Sequence, residues 1–318
     1  MSFLKNKNVL VTGGSGFVGT NLLKKLLEFD CNLRTTIHNT EPQFKNKNIK
    51  YINVDLTTPD GCLEATKNID YIFMCAANTS GAAVMENNPL AHLTPNIMMN
   101  LSLYEAAYKN NVKKLLFISS NTVYPVTDHP VKEDDVTNEF FHKYFIVAWM
   151  KRFTEIVSEM YSDKIKEKMN IVVVRPANLY GPYDDFEWET SHVIPALIRK
   201  VAERHNPIEV WGDGQDLKEF LYIDDFIDGI ILAMEKINSS KPINLSLNKA
   251  VTVKEILNHL IQIEGHDSAK IEYDTSKPTM IPKRLIDNTY AKALLDFNPK
   301  IQIDEGLAKT LEWYKNKK

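Results

Sequence analysis

Cysteine is scarce in this chain: Cys31, Cys62 and Cys75 are its only three, an odd number with no CxxC spacing. A disulfide framework or a zinc site needs more thiols at closer spacing, so a reducing compartment and no metal are expected. Charge of one sign is lacking too. The 38 Lys and Arg face 41 Asp and Glu, a formal net charge of -3. Without a clustered cationic excess there is no electrostatic footprint for nucleic acid or a membrane surface. No apolar run approaches the ~18 residues of a membrane span. The first residues lead into a strand pattern without the apolar core of a signal peptide. No internal repeat and no low-complexity tract is present. These absences leave a cytoplasmic globular protein as the expectation. With 44% hydrophobic residues over 318 positions, it needs no staple to bury roughly three quarters of its unfolded surface.

What is present is an alternation. Val9 to Val11 read as a buried strand, and residues 17 to 29 put Phe17, Val18, Leu22, Leu23, Leu26 and Leu27 on one helical stripe. Short β-branched or aromatic runs follow at Leu33 to Ile37, Tyr51 to Val54, Ile69 to Cys75, Lys114 to Ser119 and Ile171 to Val174. That rhythm predicts an α/β fold, a doubly wound parallel sheet with helices on both faces. Long amphipathic helices are expected at about 88 to 110 and 142 to 163. Beyond Arg175, Pro and Gly punctuate shorter pieces before a strand-like Ile243 to Leu245 and a last helix ending at Tyr314. The expected division is one domain of residues 1–177 and 220–246, with an interleaved C-terminal lobe of residues 178–219 and 247–318.

Directly after the first strand, Thr12-Gly13-Gly14-Ser15-Gly16-Phe17-Val18-Gly19 places Gly13, Gly16 and Gly19 where strand turns into helix. A dinucleotide needs that arrangement. One glycine makes the tight turn, one lets backbone approach the pyrophosphate and one allows close helix packing, with the helix N-terminus aimed at the phosphates. The strand before and the apolar helix after supply the context that a bare glycine motif lacks. The end of the second strand selects the cofactor, because an acid there bonds a ribose 2′-hydroxyl and an arginine accepts a 2′-phosphate. Here Arg34 comes too early in the strand, while His38 and Asn39 suit hydroxyls, so NAD(H) is expected over NADP(H).

Further motifs keep their order over nearly the whole chain: Asp55-Leu56 after the third strand, Cys75-Ala76-Ala77 after the fourth, Asn96 heading NIMMNLSLYEAA, and Arg175-Pro176-Ala177-Asn178-Leu179-Tyr180-Gly181-Pro182. With the glycine loop, they make the sequence resemble the extended short-chain dehydrogenase/reductases that act on nucleotide sugars. The resemblance implies a Rossmann domain holding the cofactor through Gly13, Gly16, Phe17, Val18 and Gly19. Asp55 and Leu56 would flank the adenine, and Ala76 and Ala77 would line the nicotinamide ribose, with Asn96 and Ser119 also on the cofactor side. Thr79, Ser80, Asn121 and Asn178 would face the sugar nucleotide.

In that family, hydride transfer at a sugar carbon is assisted by a Ser and by the Tyr and Lys of YxxxK, the Lys lowering the phenol's pKa. The resemblance maps the Ser to Ser120, in Phe117-Ile118-Ser119-Ser120-Asn121-Thr122-Val123-Tyr124. It maps the Lys to Lys151, since Lys151 and Glu155 reproduce the family's Lys-x-x-x-Glu. The Tyr position is Val147. Tyr144 is the nearest replacement, but it stands about 10 Å along the helix axis from Lys151, against about 6 Å for the usual pair. Helical side chains also lean toward the N-terminus, so Tyr144 reads better as a structural residue at the helix start. Lys151 keeps a second family role, bonding the nicotinamide ribose. Dehydratases of the family carry acids just after the Ser; Asn121 and Thr122 stand here instead and disfavour elimination.

The C-terminal lobe narrows the substrate. Asn178 to Pro182, Thr190 to Arg199, Val210-Trp211-Gly212, Lys277-Pro278 and Pro282 to Asp287 resemble the GDP-fucose synthases, which reduce and epimerise a GDP-linked 4-keto sugar. By that resemblance His192 is the catalytic acid and Thr122 stands in place of a reactive Cys. Val193, Leu197 and Trp211 would surround the sugar nucleotide, and Lys218 and Arg284 would meet the diphosphate. Read without the resemblance, His192 is equally a polar residue in the first turn of a helix, and Lys218 and Arg284 are solvated charges. Lys218 in place of an Arg also loses the bidentate fork. A WMKR helix followed by VIPALIRK is similar to the dehydrogenases that oxidise GDP-D-glycero-D-manno-heptose for capsular polysaccharides. The expected activity is therefore NAD-dependent oxidation of C4 of a GDP-linked sugar by a homo-oligomer. The alternatives are a GDP-4-keto-sugar reductase or epimerase using His192 and, from another class, a non-catalytic cofactor-binding sensor, which Val147 favours and Ser120 opposes.

Overall fold

The computed structural model describes residues 3–79, 87–277 and 279–317; Ser80 and Pro278 lie outside the described residues. The first strands are β1 (Asn8–Thr12), β2 (Asn32–Ile37), β3 (Ile49–Asn53), β4 (Tyr71–Met74), β5 (Lys114–Ile118) and β6 (Asn170–Pro176). They are followed by β7 (Asn178–Tyr180), β8 (Ile208–Trp211), β9 (Leu217–Tyr222), β10 (Ile243–Leu245), β11 (Ala250–Thr252), β12 (Ile271–Asp274) and β13 (Lys283–Arg284). A seven-stranded sheet runs in the order β10-β6-β5-β4-β1-β2-β3, and all its neighbouring strands are parallel. This is the doubly wound α/β fold that the alternating runs predict.

Successive residues of a strand face opposite sides, which splits the core in two. Val9, Val11, Leu116, Val172 and Val174 enter one cluster, while Leu10, Ile72, Leu115, Phe117, Ile171 and Val173 enter the other. Helices cover both faces, which is why these strands read as continuous apolar runs. The chain moves outward from β1 to β3 and then returns to the other side of β1 at β4. The strand order thus reverses between β1 and β4, and their C-terminal ends open the crevice where such sheets bind ligands.

The helices begin where local chemistry permits. α1 (Phe17–Leu26) starts at the glycine loop, and α2 (Pro59–Thr66) is capped by Thr58, whose side chain accepts from Gly61 N. The helix expected from about residue 88 is α3 (Thr94–Lys109), preceded by a separate 3-10 turn, Pro89–His92. Pro95 explains the late start, because a proline is tolerated only in a first turn. α4 (Phe145–Glu159) likewise starts after a 3-10 turn, His142–Tyr144. α5 (Val193–Ala202) and α6 (Ile223–Lys236) follow. α7 (Val253–Glu264) has a capping box between Thr252 and Glu255 and ends at Gly265 with φ 64.

Smaller sheets form beyond residue 177. β9 pairs with β7, β11 and β13, and β12 pairs with β8. β9 crosses residue 220 and pairs only in the smaller sheet, whereas α6, right behind it, packs back on α1, β5 and β6 of the large one. Among the described residues no helix is long and apolar enough to cross a membrane.

Candidate active site

The glycine loop is built for close approach. Gly13 has φ +71, and a Cβ there would lie 2.7 Å from the Ala76 Cα; one at Gly19 would collide with the Gly13 carbonyl. Gly13 and Gly14 donate their N–H groups to Thr36 Oγ1 and O, each at 3.0 Å. Thr12 Oγ1 accepts from Cys75 N at 3.1 Å and Ala76 N at 3.0 Å, which ties the loop after β4 to the loop after β1. Gly16 caps α1 without a side chain, and the first turn carries no acid. The free N–H groups and the positive end of the helix dipole therefore face outward, as a pyrophosphate requires. A cradle that any Cβ would fill and an uncapped helix start fit a dinucleotide.

Phe17 and Val18 are half-buried in that first turn. At the end of β2, His38 and Asn39 are exposed. Arg34 is tied elsewhere, donating to Ala65 O at 3.0 Å and Lys67 O at 2.8 Å at the end of α2. Asp55 accepts from Thr57 Oγ1 and N, bonds that hold its carboxyl below the usual range. Leu56 is turned into the core. Ala76 is half-buried and Ala77 and Thr79 are exposed along the loop after β4. Asn96, expected on the cofactor side, is engaged with backbone. Buried in α3, it accepts from Asn78 N at 2.8 Å and donates to Asn78 O at 2.9 Å and His92 O at 2.7 Å. It braces that loop from behind.

Ser120 and Lys151 both lie at the C-terminal end of β5. Lys151 is buried, donates from Nζ to Ile118 O at 2.8 Å, and lies 5.1 Å from the Phe117 ring centroid. Burial pushes its pKa down to about 8, against the opposing field of Glu155. Ser120 Oγ accepts two bonds from Thr122, one from N at 3.1 Å and one from Oγ1 at 3.0 Å. Its neighbours, expected on the cofactor and substrate sides, are engaged with protein partners. Ser119 donates to Glu155 Oε1 at 2.5 Å, and Asn121 is buried with Nδ2 on Pro176 O at 3.0 Å. Arg175 grips Glu155 with Nε and Nη2, each at 2.8 Å, and its Nη1 reaches Tyr124 Oη at 3.0 Å. Tyr124 in turn donates to Asn244 Oδ1 at 2.5 Å. This buried network fixes the strand end that carries Ser120.

Val147 is half-buried one turn before Lys151. Tyr144 packs with Ala148 and Ile281, and burial pushes its phenol up to about 12, far from a poised base. On the other side of the crevice, His192 caps α5. It is open to solvent yet ringed by protein, and desolvation lowers its pKa, with Asp185 opposing and His92 adding to the effect. Val193 is half-buried beside it. Leu197, expected beside the sugar nucleotide, forms with Ile194, Ile198 and Val201 the core-facing stripe of α5. Asn178 donates Nδ2 to Glu219 O at 2.9 Å. Trp211 is half exposed and bonds Glu209 Oε1 at 2.8 Å.

Lys218 and Arg284 are register partners on β9 and β13. Lys218 is paired with Asp216 at 2.9 Å. Arg284 is buried and donates to Pro125 O at 2.8 Å and Tyr124 O at 3.0 Å, while its Nε has no partner among the described residues.

Residues 9–246 match the NAD dependent epimerase/dehydratase family. The chain belongs to this family. It is 29% identical to GDP-L-colitose synthase of Yersinia pseudotuberculosis, over 98% of each protein. It is 27% identical to GDP-L-fucose synthase 1 of Arabidopsis thaliana, over 98% of this chain and 94% of that one. The solved UDP-glucose 4-epimerase of Thermotoga maritima, with UDP-glucose, has a TM-score of 0.87 at 26% identity, covering 98% of this chain and 99% of that one.

For a member of the NAD dependent epimerase/dehydratase family, two site features have no sequence signature. His92 is buried, with Nδ1 3.1 Å from Asn78 O and Nε2 without a partner among the described residues. Since a carbonyl only accepts, Nδ1 carries the proton in the neutral ring. Asp184 is buried on the loop leading to His192; its Oδ1 accepts from Asp185 N at 2.8 Å and its Oδ2 has no partner among the described residues. Desolvation pushes its pKa up to about 8. Only the tertiary fold buries these side chains, so a lone His and an Asp before another Asp carry no warning in sequence.

Proposed function

We propose that this epimerase/dehydratase family member is an NAD-dependent oxidoreductase that oxidises C4 of a GDP-linked sugar to a 4-keto sugar. GDP-D-glycero-D-manno-heptose is the substrate that its motifs resemble most closely. The carrying observation is the end of β5, where Ser120 lies two residues beyond Ile118, the partner of Lys151, while Asn121 and Thr122 occupy the positions of a dehydratase's acids. A dinucleotide held by the glycine loop through its pyrophosphate would supply the hydride acceptor.

The side chains then divide the remaining work. Thr122 occupies both lone pairs of Ser120, so the Ser120 hydroxyl is left to donate to the sugar oxygen. That donor stabilises negative charge on the oxygen as it becomes a carbonyl. Lys151, fixed on Ile118 O, is in place to bond the nicotinamide ribose. Arg284 is a buried cation with no carboxylate within ion-pair distance among the described residues, and a diphosphate would complete it. The relatives' names support GDP as the nucleotide. NAD over NADP is supported by His38 and Asn39 at the end of β2 and by the engagement of Arg34 with α2.

A GDP-4-keto-sugar reductase or epimerase is the second reading, favoured by the position of His192 at the start of α5. Epimerisation is the weaker half of it, because the Thr122 hydroxyl is engaged with Ser120.

We take residues 1–177 and 220–246 as the cofactor domain and residues 178–219 and 247–318 as the sugar-nucleotide lobe. Homo-oligomerisation through α3 and α4 is supported by exposed Met98, Leu101, Phe145, Trp149 and Phe153. A cytoplasmic site of action suits three free cysteines. The test is to mix the purified protein with NAD+ and either GDP-D-mannose or GDP-D-glycero-D-manno-heptose, following nicotinamide absorbance and sugar mass. Reduced cofactor with a sugar lighter by two hydrogens is the expected result. Neither change with any GDP-sugar would support the non-catalytic reading.

A further inference from the structure

We infer that Lys151 is itself the proton acceptor of the C4 oxidation, replacing the phenol whose position Val147 occupies; this rests on the oxidation proposed above. In that reaction the C4–H bond breaks and its electron pair leaves as hydride to the nicotinamide of NAD+, forming NADH. The C4–O bond becomes a carbonyl, and the hydroxyl proton must be taken up. With Lys151 neutral, the Nζ lone pair takes that proton to give an ammonium, which returns it to solvent once the keto product leaves. Atoms and electrons then balance without a further reagent.

The geometry removes the competitors nearest to Lys151. Ser120 cannot take the proton, because Thr122 donates to its oxygen through both N–H and O–H. Tyr144 is shut in an apolar cluster with Ala148 and Ile281. Val147 has no acid or base to offer. Lys151 remains, at the same strand end as Ser120, with Ile118 O as its hydrogen-bond partner and no carboxylate within ion-pair distance among the described residues.

The charged groups around Lys151 also favour a neutral amine. On its own helix stand Glu155 and Arg152, and on β6 stands Arg175. Glu155 is the acid whose field reaches the amine, but it is already held by Arg175 at 2.8 Å, Arg152 at 3.2 Å and Ser119 at 2.5 Å. Its charge is thus largely matched by two guanidinium groups. Burial then dominates and brings the amine into the range where neutral and charged forms coexist near neutral pH.

The test uses the full-length protein, NAD+ and GDP-D-glycero-D-manno-heptose or GDP-D-mannose, with NADH formation followed in rapid mixing across neutral and alkaline pH. The hydride step should rise about tenfold per pH unit and level off above about 8. Lys151→Arg should still bind NADH, read by cofactor fluorescence, yet lose the hydride step by about 100-fold or more. Lys151→Ala should recover part of the rate with added primary amines, in order of their basicity. Independently of turnover, NMR titration of lysine side chains, assigned through Lys151→Arg, should show one lysine titrating near about 8.

A wild-type enzyme that oxidises the sugar with no alkaline rise, or a Lys151→Arg variant within a few fold of it, would overturn the proposal. So would titration of Lys151 at the ordinary lysine value of about 10.4. No NADH from the wild type with any GDP-sugar would instead overturn the oxidation and, with it, this role.

Discussion

Asp184 offers a perturbation whose size follows from its surroundings. Its carboxyl is buried, one oxygen bonded to Asp185 N at 2.8 Å and the other without a partner. Desolvation raises its pKa from 3.8 to about 8. An acid whose pKa is higher folded than unfolded favours the folded state below the unfolded pKa, and that contribution is lost as pH rises through the folded pKa. The stability tied to Asp184 therefore falls between about pH 4 and pH 8 and is flat above. At about 1.4 kcal/mol per pH unit the full span amounts to about 6 kcal/mol, a large share of the 5–15 kcal/mol that holds a typical domain.

Asp184→Asn keeps the acceptor for Asp185 N and removes the titration. Urea unfolding of both proteins over this pH range isolates the effect, because every other group titrates in both. The variant should become progressively more stable than the wild type as pH rises, with the gap levelling off above about 8. A gap that does not change with pH would refute the reasoning.

Other substitutions probe other parts of the site. Gly13→Ala places a methyl group 2.7 Å from the Ala76 Cα on a backbone with φ +71. It should cost about 1–3 kcal/mol in a thermal melt and abolish NAD binding in calorimetry. Glu155→Gln breaks the bidentate grip of Arg175 and leaves a buried guanidinium uncompensated; unfolding should show a loss of about 3–5 kcal/mol. Trp149→Glu, on the exposed apolar face of α4, should shift the protein to monomer in light scattering while leaving its circular dichroism intact.

The cofactor half was legible because its signals are local. A β-branched run, three spaced glycines and an apolar helix lie within about one βα unit, and the strand order follows from the rules of right-handed crossover. Side-chain direction was not legible. Ser119, Asn121, Asn96 and Leu197 stand in or beside motifs and yet turn away from the crevice, toward Glu155, Pro176, the Asn78 backbone and the core, respectively. Asn96 bonds Asn78, eighteen positions away, and Arg175 meets Glu155 at a separation of twenty. No short motif encodes such pairs. Val147 was visible as a departure, but its consequence for Lys151 needed the burial of the amine and the double occupancy of Ser120.

C4 oxidation is tested most directly with a GDP-sugar carrying deuterium at C4, incubated with the protein and NAD+ and read by mass spectrometry of both products. The deuterium should appear in NADH, a 4-keto sugar should form, and no solvent hydrogen should enter the neighbouring sugar carbons. Unlabelled cofactor, or solvent exchange at those carbons without net oxidation, would contradict it and point to an epimerase.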